Sequence, residues 1–80
     1  MRAGLAYRLL MRRGGATPAL LASPDRVDHV EIVDVATGEV VLFWDCGPRL
    51  ASRLARRLRT DLAGCEAGEF IERWSAPEHE

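Results

Sequence analysis

The chain of 80 residues contains no lysine, asparagine or glutamine, and all 11 of its basic residues are arginine. Without lysine, the sequence cannot form the phosphate loop of P-loop proteins, which requires that side chain. Lysine and asparagine codons are rich in A and T, so the bias indicates a bacterial genome of high GC content. Arginine is therefore the only residue type available for building a positively charged surface.

Cysteines and aromatic residues are also scarce, with two cysteines, two tryptophans, two phenylalanines and one tyrosine. Two cysteines do not make a disulfide framework, and His29, Cys46, Cys65 and His79 lack the paired spacing of zinc ligands. We therefore expect no metal and no cofactor. A chain of this length buries only about 60% of the surface that its unfolded form exposes. The core must therefore be unusually well packed, or a partner subunit completes it.

Long apolar runs are missing as well. The longest, Val40 to Trp44, is far shorter than the roughly 20 residues of a membrane span. Arg8 interrupts the apolar stretch near the start, which disfavours a signal peptide. An arginine-rich, acid-free start is also typical of organellar transit peptides, an alternative that the bacterial codon bias disfavours. We expect no membrane association and a cytoplasmic protein with reduced thiols.

The formal net charge of -1 conceals an alternation of charged blocks. Residues 1–13 and 49–59 carry four and five arginines without an acid. Residues 25–45 and 61–80 each carry six acids against one arginine. Blocks of opposite sign can neutralise each other within the fold or between subunits, so the basic segments are not automatically free to bind phosphates.

A β-hairpin is the strongest local signal. Val27 to Val35 and Val40 to Cys46 are rich in β-branched and apolar residues, and Gly38 lies between them where a turn needs a positive φ. Counting back across the turn pairs Val35 with Val40. Both faces of the second strand carry apolar side chains, so we expect the N-terminal segment or a second subunit to cover one of them.

Two helices are predicted after the hairpin. A leucine at every fourth position predicts an amphipathic helix over residues 48–63, with Pro48 at its start and arginines on its opposite face. These leucines are Leu50, Leu54, Leu58 and Leu62. Apolar residues at helical spacing favour a second helix over residues 66–75 rather than a strand. Residues 1–13 fit both a strand and a helix, with helix slightly favoured by propensity.

The combined expectation is one small α+β domain spanning residues 1–80. In it, the hairpin packs against the amphipathic helix and the short C-terminal helix, with an N-terminal helix or strand. Alternatively, residues 1–25 form a loosely packed arm, and residues 76–80 read as a frayed tail. The core is expected to include Trp44, Trp74, Phe43 and Phe70.

We also predict a homodimer, because pairing two hairpins into a four-stranded sheet would remove an exposed strand edge and enlarge a small core. A tryptophan near the end of a chain often serves either as a lid on the core or as an interface anchor. We therefore assign Trp74 and Phe70 to the dimer interface, with the edge of the hairpin as an alternative.

The arginine-rich helix has three interpretations. Its face could be solvated or paired within the molecule, it could contact nucleic acid, or it could bind a protein partner. The candidate contact residues are Arg49, Arg53, Arg56, Arg57 and Arg59. Because no aromatic RNA platform or helix-turn-helix accompanies them, the solvated or internally paired face is the leading interpretation.

Cys46 is the only candidate nucleophile. It lies just before the helix that starts at Pro48, where the positive end of the helix dipole would favour a thiolate. The predicted register leaves His29 opposite Cys46 as its base. Most free cysteines are small buried hydrophobic residues, and most strand histidines lie on the surface, so this pair is a weak catalytic candidate.

Three functions follow in order of preference. The first is a non-enzymatic protein-interaction or regulatory module that acts as a homodimer. The second is a nucleic-acid-binding protein that uses the arginine-rich helix 49–59. The third is a thiol enzyme or redox sensor that depends on Cys46.

Overall fold

The computed structural model describes residues 1–12 and 27–75 and has an α+β architecture. In chain order, the elements are α1 (Ala3–Ala6), β1 (Tyr7–Arg12), β2 (Asp28–Asp34), β3 (Val40–Cys46), α2 (Pro48–Gly64) and α3 (Ala67–Ser75). The strands form an antiparallel sheet in the order β1-β2-β3. The helices α2 and α3 pack on one face of this sheet, called the inner face below.

The predicted hairpin is confirmed, with Gly38 in the turn at a φ of 79°. The side chain of Asp34 shapes this turn because its Oδ1 accepts hydrogen bonds from the backbone N–H groups of Ala36, at 2.8 Å, and Thr37, at 3.3 Å. The predicted register is wrong, since Val40 pairs with Val33 rather than with Val35. Next to the turn the register is displaced by two residues, and a bulge between Ile32 and Val33 leaves the rest of it shifted by one residue.

The core lies between the inner face and the two helices. Its fully buried members include Val30 and Ile32 from the central strand, Leu58 from α2 and Phe70 from α3. Trp44 and Trp74 pack against this core and contact each other edge to face at 5.7 Å. The prediction for Phe43 is wrong. Strand alternation turns it to the opposite, outer face, where it is 50% exposed.

The face that α2 buries differs from the predicted leucine stripe. Its buried residues are Ala51, Ala55, Leu58 and Leu62. Leu50 is exposed at 58%, and Leu54 is only partly buried. The two alanines fill the first turns of the buried stripe and let the helix backbone approach the sheet closely. The terminal helix is confirmed over Ala67–Ser75.

The N-terminal segment contains both a helical turn and a strand. Its first residues are tied to the junction between α2 and α3: Arg2 Nη1 donates to the carbonyl of Ala63 at 2.8 Å, and the Ala3 amide donates to that of Cys65 at 2.9 Å. Gly4 passes so close to α2 that a Cβ there would lie 3.2 Å from the carbonyl oxygen of Leu62.

A loosely packed arm is therefore wrong for residues 1–12. The strand β1 pairs edge to edge with β2 and does not cover the second face of the hairpin. The rest of the proposed arm, residues 13–25, and the predicted tail, residues 76–80, lie outside the described residues.

Candidate interaction surfaces

The five candidate arginines of α2 are all exposed: Arg49, Arg53, Arg56, Arg57 and Arg59. Within residues 1–12 and 27–75, none of them forms a salt bridge, although Arg57 stacks over the ring of Trp74 at 5.9 Å. The neighbouring acids are engaged elsewhere, with Asp61 bound to Arg73 at 3.3 Å. Pairing within the described part of the chain therefore does not neutralise this basic block.

The local geometry makes this helix face electrostatically unfavourable by itself. Arg49, Arg53 and Arg57 are spaced four residues apart, and like charges at that spacing destabilise a helix by about 0.2–0.5 kcal/mol per pair. The first turn contains no acidic residue, so Arg49 also faces the positive end of the helix dipole. An anionic partner would relieve both effects.

An open groove of about 770 Å³ runs between β3, α2 and α3. The residues that line it are mainly arginines and apolar residues, with two acidic residues among them: Trp44, Asp45, Cys46, Leu50, Arg53, Leu54, Arg57, Asp61, Arg73 and Trp74. We call this surface the arginine groove.

Trp74 organises one wall of the arginine groove. Its indole Nε1 donates a hydrogen bond of 2.9 Å to Asp61 Oδ2, while its ring meets Trp44 edge to face. The guanidinium of Arg57 lies over the same ring. Asp61 thus fixes both Trp74 and Arg73 from α2. This role of Asp61 is not visible in the sequence, because its partners Arg73 and Trp74 lie 12 and 13 residues away and form no periodic pattern with it.

The predicted pair of Cys46 and His29 does not form. Cys46 pairs with Asp28 across the hairpin and lies in the arginine groove, whereas His29 pairs with Asp45 on the outer face. There, His29 Nδ1 lies 2.5 Å from Asp45 Oδ1, and its ring stacks on Phe43 at 5.6 Å. The one-residue shift in register separates the two predicted partners, because neighbouring residues of a strand point to opposite faces.

The expected activation of the Cys46 thiol is also wrong. Burial, followed by the negative charges of Asp28 and Asp45, raises the pKa of Cys46 above its ordinary value. The thiol is therefore less acidic than an exposed one.

The two predicted interface residues have different environments. Phe70 is fully buried against Tyr7 and Trp74, so it is not accessible to a second subunit, and its assignment to an interface is wrong. Trp74 is partly buried and lines the arginine groove.

Among the described residues, no three His, Cys, Asp or Glu side chains come together in a way that could hold a metal ion. His79 lies outside this part of the chain. None of the helices in residues 1–12 and 27–75 is both long enough and apolar enough to cross a membrane. Comparison with protein-family models, curated proteins and solved structures found no match to this chain.

Proposed function

We propose that the protein is a non-enzymatic interaction module whose arginine groove binds an acidic, amphipathic segment of a partner protein. The observation that carries this proposal is the exposed arginine face of α2, which has no salt bridge within the described residues and borders a groove lined by two tryptophans. Arginine and tryptophan are the residues most often responsible for binding energy at protein interfaces.

The chemistry of the groove favours a peptide over a bare phosphate chain. Asp61 lies among its lining residues, and its carboxylate would repel closely packed phosphates. The exposed side chain of Leu50 and the ring of Trp44 offer apolar contacts between the arginines. A segment that alternates carboxylates with apolar side chains matches this mixture.

Nucleic-acid binding is the second candidate, favoured by the outward ridge of α2. Arg49, Arg53 and Arg56 follow this ridge over eight residues, a rise of about 10 Å along an α-helix. The ridge contains no acidic residue. Such a ridge could contact two or three phosphates from its solvent side, and the affinity would then fall steeply with salt.

Fluorescence titrations of the full chain test both functions. The first probe is a peptide of alternating glutamate and leucine residues, and the second is a mixed-sequence DNA duplex at low salt. We expect the peptide to bind and to change the emission of Trp44 and Trp74. Substituting Arg53→Gln and Arg57→Gln together should weaken peptide binding at least about tenfold, because charge-assisted hydrogen bonds are lost.

The matched control is Arg8→Gln, which removes one arginine from the opposite face of the sheet. It should leave peptide affinity unchanged within error. If the double variant Arg53→Gln and Arg57→Gln binds the peptide as tightly as the wild type does, the role of the groove is refuted. Strong duplex binding lost on substituting Arg49 and Arg56, with no binding of the peptide, would instead establish the second candidate.

We further propose that the module acts in the cytoplasm of a bacterium. Both Cys46 and Cys65 are free thiols, which is typical of proteins in reducing compartments. Fractionation of cells that express the tagged chain checks this location, and recovery in a secreted or envelope fraction would contradict it.

A further inference from the structure

The outer face of the sheet is built from three rows of side chains that run across the strands. The rows are Arg8 with Val33 and the bulged start of β3, then Leu10 with Glu31 and Phe43, then Arg12 with His29 and Asp45. Opposite side chains within a row lie about 5 Å apart. The outer face is thus a continuous surface whose layout follows directly from the strand register.

Large apolar side chains lie exposed on this face. Phe43 is 50% exposed, and Leu10 on the edge strand β1 and Val41 on the edge strand β3 are also exposed. The solvent face of an antiparallel sheet is ordinarily polar, because its residues alternate with those that enter the core. Exposed apolar residues grouped in this way on a small protein indicate a contact surface.

The charges on the outer face are separated between its two edges. The edge strand β1 carries Arg8 and Arg12, whereas the other edge strand, β3, carries Asp45. The central strand carries Glu31, which is only 8% exposed and lies 3.9 Å from Arg12. One edge is therefore positive and the other negative, with the apolar side chains between them.

We infer that the outer face binds a second copy of this chain, related by a two-fold axis that runs parallel to β2. Rotation about this axis places β1 of one copy over β3 of the other and keeps each row above itself. Arg12 then faces Asp45 of the second copy, and Leu10 faces Phe43 of the second copy. Because the contact is symmetric, each of these pairs occurs twice.

Charge selects this axis over the alternative. A two-fold axis perpendicular to the strands would place β1 over β1 and bring Arg8 against Arg12 of the second copy, which like-charge repulsion opposes. With the axis parallel to the strands, the two Glu31 side chains approach the centre, and each has Arg12 of its own chain beside it. Packed sheets lie about 10 Å apart, which leaves room for both carboxylates.

This dimer does not depend on peptide binding, because the arginine groove lies on the inner side of the sheet and α2. It also differs from pairing of two hairpin edges, since it covers the second apolar face of the hairpin. The need for a second cover was already evident from the sequence of β3.

Sedimentation equilibrium of the full chain over a wide concentration range tests the dimer. We expect a concentration-dependent mass that reaches two chains. The charge reversals Arg12→Glu and Asp45→Arg should each weaken dimer association by about tenfold or more, since each turns two favourable pairs into two repulsive ones. An equimolar mixture of these two variants should dimerise again, because opposite charges then face each other at both sites.

Recovery in the mixture also shows that both variants are folded. The matched control is Arg8→Glu, the same charge change on the same strand, which faces the bulged start of β3 rather than an acid. It should alter the association constant less than about threefold. A second pair compares Phe43→Ser, expected to weaken the dimer, with Leu50→Ser, an exposed apolar residue of the groove that should not.

Three results would overturn the inference. The first is a wild-type protein whose mass equals one chain at all concentrations. A monomer whose outer face is covered by its own chain would give this result. The second is equal weakening by Arg8→Glu and Arg12→Glu. The third is failure of the two reversed variants to associate when mixed.

Discussion

Replacing Phe70 with alanine is expected to remove a large part of the stability of the fold. Phe70 is completely buried and joins β1 to α3, because its ring stacks on Tyr7 at 5.9 Å and packs against Trp74 at 6.4 Å. Burial of a phenylalanine of about 150–250 Å² corresponds to about 4–6 kcal/mol as an upper bound. Measured Phe→Ala changes in cores cost about 3–5 kcal/mol.

This loss is large for so small a chain. A stability of about 0.05–0.15 kcal/mol per residue gives about 4–12 kcal/mol for 80 residues, so Phe70→Ala would remove about a quarter of it or more. The milder Phe70→Leu keeps most of the volume and is expected to cost about 1–2 kcal/mol, including the lost ring contact with Tyr7. It stays measurable even where the alanine variant does not fold.

Phe43 provides the matched control, since it is the only other phenylalanine and is half exposed on the outer face. Phe43→Ala is expected to cost about 1 kcal/mol or less. Urea unfolding, followed by tryptophan fluorescence and circular dichroism at high dilution, gives all three free energies of unfolding without a contribution from self-association. Equal losses for Phe43→Ala and Phe70→Ala would refute the assignment of the two sheet faces.

Three further predictions concern the groove wall, the thiol and the turn. Trp74→Phe should lower the free energy of unfolding by about 1–2 kcal/mol, because it deletes the hydrogen bond from the indole N–H to Asp61. The indole N–H of Trp44 has no partner in the described residues, so Trp44→Phe should lower the free energy of unfolding less in the same urea assay. The rate of Cys46 alkylation, measured as a function of pH, should reach half of its maximum at a pH above the ordinary thiol pKa. Asp45→Asn should lower the pH of this midpoint. Folding raises the pKa of this thiol, so its contribution to stability should be present at pH values below the ordinary thiol pKa. That contribution should be lost as the pH rises through the pKa of the folded protein. The free energy of unfolding, measured across alkaline pH, should therefore decrease with pH. Gly38→Ala should destabilise the protein by about 1–2 kcal/mol at its positive φ, while Gly68→Ala, in open space within α3, should stabilise it by about 0.5–1 kcal/mol. A melting temperature that rises in the Gly38→Ala variant would contradict the turn geometry.

The hairpin and both helices were predictable because their signals are local. Gly38 between two β-branched runs and the leucine repeat after Pro48 each act over a few neighbouring residues. The register was not predictable in the same way. The register depends on the length of the turn that the Asp34 side chain stabilises and on the bulge after Ile32. A difference of one residue in the register decides whether Cys46 and His29 lie on the same face of the sheet.

The type of the first segment depended on a contact that no local pattern reveals. Residues 7–12 suit a helix and a strand, and the free edge of β2 decides between them by supplying backbone hydrogen bonds. The preceding turn, Ala3–Ala6, remains helical because it packs against the end of α2, where a Cβ at position 4 would lie only 3.2 Å from the carbonyl oxygen of Leu62. Tertiary context thus overrides propensity in one half of the segment and permits it in the other.

The same distinction between local and distant contacts applies to the charged blocks. Oppositely charged blocks predict neutralisation, yet the salt bridges of the described residues join only some of them, as with Arg12 and Glu31 or the N-terminal amine of Met1 and Glu66. The arginines of α2 are left over for a geometric reason: the stripe from Ala51 to Leu62 packs on the core, which turns the arginine face directly away from the acidic strand β2. No acid of residues 1–12 or 27–75 neutralises that face, and this is why the arginine groove, rather than Cys46, is the surface that merits the first binding experiments.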